Sequence, residues 1–301
     1  PPRPTRRPHA WSPMNAINRA VTSFFDLILT PLEAVSDEFA LLFVSGVFGV
    51  LALWIFKHIS WQKGIKATKD KIKGHLIEIR LYQDDLVTVG KAIGKVLFRN
   101  LQYLFLNFAP FLPLMAPFVV VVAQLVIRFG FAPIPVEERD LSGMLAGQGT
   151  MIEVQFADDA KQDALGLTVN LPDGLTALSP LVPIPREGLA FMEVAATQAG
   201  AWDVEFALAG GETVTKRVVT GTMENVERIM QPERVNDFWM AWLWPAEDTF
   251  GANSSFERIV IAYPDRELAY MWDGAGGVFL MFLLVAFIIG GAAIKIFDIQ
   301  I

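Results

Sequence analysis

The chain has 301 residues, 53% of them hydrophobic and 19% charged, with 32 acidic against 25 basic side chains and a mean hydropathy of +0.40. A water-soluble domain of this length does not carry that apolar excess, so part of the chain is expected to face lipid. The absence of cysteine excludes disulfides, thiolate metal sites and cysteine nucleophiles.

Residues 1–14 (PPRPTRRPHAWSPM) are rich in Pro and Arg without apolar periodicity, and read as a disordered tail or as sequence ahead of a start at Met14. Over residues 15–34 apolar side chains recur at Ile17, Val21, Phe24, Ile28 and Leu32, with Asn18, Arg19, Asp26 and Glu33 off that stripe. This helical period, ending near Pro31, predicts either an amphipathic helix lying on the outer membrane surface or a helix packed on an external domain. Residues 39–56 (FALLFVSGVFGVLALWIF) are eighteen without a charge, close to the length that crosses a hydrocarbon layer about 30 Å thick.

Residues 57–100 hold ten Lys and Arg against four acids. Ile65, Ile72, Ile79, Leu86 and Ile93 repeat every seven residues, with Thr68, His75, Tyr82, Val89 and Val96 at companion positions, a heptad signature. A continuous helix would run about 60 Å from the membrane while both ends must return to it, so a hairpin is expected, turning at Gly74 or at Gln83, Asp84 and Asp85. Its juxtamembrane lysines, among them Lys63, Lys66, Lys69 and Lys73, suit ribosomal RNA or anionic lipid headgroups, and equally a role in topology alone. Residues 101–128 are uncharged until Arg128. Pro110, Pro113 and Pro117 should kink this second span, and Asn107 and Gln124 should face either an interhelical hydrogen bond or a hydrophilic groove.

From 135 to 222 short alternating runs (MIEVQF, LGLTVN, LAFMEVAA, WDVEFAL, TVTKRVV, and later ERIVIAY) predict a small β-sandwich, with a tight turn at Ala209 to Glu212 and Trp202 in the core. Residues 223–272 read as a helical stretch from Met223 to Trp244 followed by a strand, closing the external domain. Residues 274–295 hold the third span, in which Gly290 and Gly291 allow close helix approach. The fold class is therefore integral membrane α-helical, with three spans and a helical hairpin, plus an extracytoplasmic β-sandwich.

Basic excess places the hairpin in the cytoplasm. The stretch from Phe131 to Asp273, with nine basic and twenty-three acidic residues, belongs on the other side, which puts the N-terminus outside and the C-terminus in the cytoplasm. Trp54 and Trp61 then mark the inner interface, and Trp239, Trp242, Trp244 and Trp272 the outer one. A bacterial inner membrane fits the acidic external domain. Three histidines, at 9, 58 and 75, lie far from metal-ligand spacing, and no phosphate loop or nucleophile elbow occurs. The acid pairs Glu137, Glu138 and Asp158, Asp159 read as solvated surface. Neither an enzyme, a metal, a cofactor nor DNA binding is expected.

The order of parts from Asn15 to Arg128, with FALLFVSGVFGVLALWIFKHISWQKGIKATKDKIKGHLIEIRLYQDD at its centre, resembles the YidC/Oxa insertase superfamily, and the three-span plan looks like its archaeal and endoplasmic-reticulum branches. The resemblance implies a membrane-open groove that eases insertion of a substrate helix and a hairpin that receives nascent chains. It carries over Asn107 and Gln124 as groove residues and Lys63, Lys66, Lys69 and Lys73 as hairpin residues, with nascent membrane proteins or the ribosome as partners. The groove arginine of bacterial members has no counterpart in the uncharged first span, and the β-domain follows the second span instead of preceding the core. The alternative function is a structural or adaptor subunit of a larger membrane complex, which binds a partner through the acidic external domain.

Overall fold

The computed structural model describes residues 12–136, 149–224, 227–251, 253–269 and 272–297; residues 1–11 of the tail expected over 1–14 and the acid pair Glu137, Glu138 lie outside them. The chain forms two compact units, one of Pro1–Leu41 with Val120–Met281 and the other of Leu42–Val119 with Phe282–Ile301. Three helical stretches are long and apolar enough to cross a membrane: Asp37–Ile59, Leu86–Phe129 and Gly274–Ile294.

In the first unit, α1 (Ser12–Glu33) begins before the expected boundary and continues through Pro31. Its buried face is Met14, Asn18, Phe25, Leu29 and Glu33, whereas Ile17, Phe24, Leu27 and Ile28 are exposed. The helix keeps the expected period, but its polar residues Asn18 and Glu33 turn inward, while Ile17, Phe24 and Ile28 of the apolar stripe are exposed and Val21 and Leu32 half-buried. The packed face is therefore mixed, with Met14, Phe25 and Leu29 buried beside Asn18 and Glu33.

The β-rich part of this unit is built from two antiparallel sheets. The larger contains β1 (Thr150–Phe156), β3 (Leu175–Ala177), β4 (Val182–Ile184), β5 (Leu189–Ala196), β8 (Glu233–Val235) and β9 (Phe256–Ile261), in the order β3-β5-β1-β9-β8 with β4 also on β5. The smaller is β2 (Leu167–Asn170), β6 (Gly200–Leu208) and β7 (Thr213–Thr220), in the order β2-β6-β7. Period-two alternation in β1 buries Ile152, Val154 and Phe156 opposite Met192 and Ala190 of β5 and Ile261 and Ile259 of β9. These side chains share one core with Val204, Phe206 and Val218 of the smaller sheet, the arrangement of a sandwich. Trp202 is only partly buried at its margin, where its Nε1 donates to Thr220 Oγ1 at 2.9 Å. The β6–β7 turn closes through Gly211, whose φ of +85° favours glycine.

The six longer runs appear as strands, but β3, β4 and β8 are three residues each and too short to show a period. The helical pattern over Met223 to Trp244 gives only one turn, α6 (Met240–Leu243), because β8 pairs with β9 from Glu233 to Val235 and takes the middle of that stretch into the sheet. Asn225 and Val226 lie outside the described residues.

In the second unit, α3 (Gln62–Leu81) and α4 (Leu86–Phe108) form an antiparallel hairpin. Its turn falls at Tyr82–Asp85, and Gly74 stays inside α3. Asp85 caps α4, accepting from the N–H groups of Val87 at 3.0 Å and Thr88 at 3.3 Å, and the Thr88 hydroxyl and these N–H groups hold its carboxyl below the usual range. Ile65 and Thr68 are buried on α3 and Ala92 on α4, with Ile72, His75, Ile79, Val89 and Val96 half-buried between the helices. Leu86 and Ile93, expected on the seam, are exposed by 82% and 45%. A heptad counted through the turn loses phase when the chain reverses, so the seam of α4 passes to the companion positions.

The second candidate span breaks where the prolines predict. α4 ends at Phe108, Ala109 and Pro110 form a turn, and α5 (Phe111–Phe129) follows, with Pro113 in its first turn, where no donor is required, and Pro117 inside. α2 (Asp37–Ile59) and α7 (Gly274–Phe297) meet at glycines. A Cβ added to Gly49 would lie 2.3 Å from Ala286 O, and one added to Gly290 would lie 2.9 Å from Gly49 O, while Gly291 faces open space.

Candidate functional site

The strongest concentration of buried polar groups lies where the inward face of α1 meets the end of α5. Asn18, Thr22, Asp26 and Glu33 follow one face of α1, and Gln124 and Arg128 stand one helical turn apart on α5. Gln124 is fully buried, and its Nε2 donates to Thr22 Oγ1 at 2.9 Å. Arg128, buried to 3% exposure, pairs with Asp26. Asn18 Nδ2 donates to the Ala241 carbonyl at 2.9 Å, and Asn15 Oδ1 accepts from Thr249 Oγ1 at 3.1 Å.

Around this seam the ion pairs continue. Arg266 donates Nη1 to the Arg128 carbonyl at 2.7 Å, satisfying a C-terminal acceptor of α5, and pairs with Asp37 through Nη2. Arg228 reaches Asp37 at 2.9 Å and Glu33 at 3.3 Å. Burial pushes the Glu33 carboxyl up, against the pull of Arg128 and Arg228. Three buried atoms of the seam find no partner among the described residues: Glu33 Oε1, Gln124 Oε1 and Arg128 Nε. Each leaves a hydrogen-bonding valence for water or another polar group.

Of the two groove candidates, Gln124 is therefore covered by α1, and Asn107 is half-buried on α4, where its Nδ2 donates to the Tyr103 carbonyl at 2.8 Å and its Oδ1 has no partner among the described residues. They fall in different units. Lys63, Lys66, Lys69 and Lys73 all lie on the exposed face of α3, away from Ile65, Thr68 and Ile72. Of the tryptophans expected at the interfaces, Trp54, Trp61, Trp239 and Trp272 are exposed, whereas Trp242 and Trp244 are partly buried against Met14, Val235 and Ala241.

Sequence reasoning left out Thr22, Asp26, Glu33, Arg228 and Arg266 as a group. The signal that finds α1's share is the spacing 18, 22, 26, 33, which puts four polar side chains on one helical face. Among the described residues no cluster of His, Asp and Glu fits a metal ion. No protein-family model, curated protein or solved structure matches the chain.

Proposed function

We propose that the protein is a non-enzymatic membrane-protein insertase or insertion chaperone of the YidC/Oxa type, whose helical hairpin captures apolar segments of nascent chains on the cytoplasmic side. The observation that carries this reading is the tip of the hairpin. Ile77, Leu81, Tyr82, Leu86 and Val87 are each at least half exposed around the turn. Leu86 is fifteen residues before the uncharged run that starts at Leu101, which sets the tip about 22 Å beyond the membrane boundary. An apolar patch held that far into water by a charged two-helix arm needs a partner, and an emerging transmembrane segment has the matching chemistry. The basic excess of residues 57–100 supports the cytoplasmic side, and the acidic sandwich then lies across the membrane.

The test is a triple variant, Leu81→Asp, Leu86→Asp and Val87→Asp, in cells that depend on the protein. The hairpin seam contains none of the three, so helicity by circular dichroism should be kept while membrane insertion of client proteins falls about tenfold. Unchanged insertion with a folded hairpin contradicts the reading.

One observation favours the adaptor alternative. Contacts of α1 and Asp37 with Ala241, Thr249, Arg228 and Arg266 tie the β-rich part to helix ends within one unit, which suits a rigid platform for a partner. A stably co-purifying subunit lost on deleting residues 149–269 supports it.

A further inference from the structure

We propose that the cleft between α3 and α4 binds the headgroup of an anionic phospholipid, whose acyl chains lie along the exposed apolar side of α4. The cleft is an open depression of about 590 Å³, lined by His75 of α3 and by Lys91, Gly94, Lys95, Phe98 and Arg99 of α4. Lys91, Lys95 and Arg99 follow at four-residue intervals and so emerge on one helical face. Between them Gly94 leaves room, since a Cβ there would meet nothing within 4 Å.

The charge is unbalanced. Glu78 is the carboxylate beside the cleft, in contact with His75 Nδ1 at 2.9 Å and Lys95 Nζ at 3.4 Å, and these contacts hold its carboxyl below the usual range. Arg99 donates to Gln102 Oε1 at 2.6 Å, and Lys91 has no acidic partner among the described residues. Three cations against one carboxylate attract a phosphate.

Depth and the adjoining surface make that phosphate a lipid's. The uncharged run begins at Leu101, so at 1.5 Å per residue Arg99 lies about 3 Å and Lys95 about 9 Å from it. The headgroup layer occupies roughly 5–8 Å on each side of the hydrocarbon core, which puts Arg99 inside it and Lys95 at its outer edge. From there Phe98, which itself lines the cleft, Leu101 and Phe105 continue at helical spacing on the flank next to Lys91, all more than half exposed. A free phosphate uses the cleft alone, whereas an amphiphile uses cleft and stripe together. The site requires no insertase activity, so it stands or falls apart from the function proposed above.

The experiment titrates the full chain in neutral detergent with phosphatidylglycerol, phosphatidylcholine or glycerophosphate and counts adducts by native mass spectrometry. Phosphatidylglycerol should bind at least about tenfold more tightly than phosphatidylcholine, and the triple variant Lys91→Gln, Lys95→Gln, Arg99→Gln should remove that preference, at roughly 1 kcal/mol or a fewfold per charge. Leu101→Asn with Phe105→Asn should weaken both lipids and leave glycerophosphate unchanged. Neutralising Lys63, Lys66, Lys69 and Lys73 removes more charge elsewhere and should change nothing. Equal loss in that control means diffuse charge attraction and overturns the proposal. Glycerophosphate binding as tight as the lipid overturns it too, as does an unchanged preference in a triple variant that keeps the parent's helicity.

Discussion

Replacing Gly49 by Leu is expected to lower the stability of the packed pair α2 and α7 by at least about 3 kcal/mol. A Cβ at this position would lie 2.3 Å from Ala286 O and 2.8 Å from Ala286 Cα, so the obstacle is backbone and cannot swing aside. Two helices long and apolar enough to cross a membrane, as α2 and α7 are, depend on close packing against each other, which makes the loss of a backbone approach costly. Gly291→Leu is the internal comparison, because nothing lies within 4 Å of its added Cβ. Unfolding of the purified chain by sodium dodecyl sulfate should show a large shift for Gly49→Leu and almost none for Gly291→Leu. Equal behaviour of the two variants contradicts the packing of α2 on α7.

The second large effect lies in the sandwich. Lys216 on β7 is completely buried, and its Nζ donates to Glu247 Oε1 at 2.6 Å, to the Gln231 carbonyl at 2.6 Å and to the Arg217 carbonyl at 3.3 Å. Burial pulls its ammonium below the usual lysine range, opposed by Glu247. Gln231 adds to the cluster by accepting from the Ala246 N–H at 2.6 Å and donating to the Glu233 carbonyl at 2.8 Å. Lys216→Ala leaves Glu247 without its ion partner and the Gln231 carbonyl without its donor, at an expected cost of about 3–5 kcal/mol. Hydrogen exchange of the β6 and β7 amides reads it. Lys216→Met combined with Glu247→Leu should recover most of the loss, since a buried ion pair replaced whole by apolar groups costs little. A single variant as protected as the parent contradicts the assigned role.

What the sequence discloses here follows from period and charge. Uncharged runs locate α2, α5 and α7 because only a few residue types tolerate lipid, and alternation finds β1, β5, β6, β7 and β9 because each is at least six residues long. The period of α1 was legible, but not its direction: the rule that polar side chains point outward fails at Asn18 and Glu33, which are buried in the seam, while Ile17, Phe24, Leu27 and Ile28 are exposed. Leu86 misled for a different reason, since the heptad count cannot register a chain reversal. Lys216 and Gly49 carry no local signal at all. Their importance arises from residues 31 and 237 positions away, Glu247 and Ala286, which only the folded chain brings to them. Of the expected site, the lysine row on α3 was visible as charge spacing, whereas the partners of Gln124 and Arg128 on α1 were not.

The most direct measurement of the insertase reading is in-cell photocrosslinking from a probe at Leu86, with Lys63 as the shaft control, against pulse-labelled nascent membrane proteins. The account predicts transient adducts to many newly made chains from Leu86, disappearing when translation is stopped and weak from Lys63. A single adduct that persists after translation ends, or none from the tip, would contradict it and leave the adaptor reading in its place.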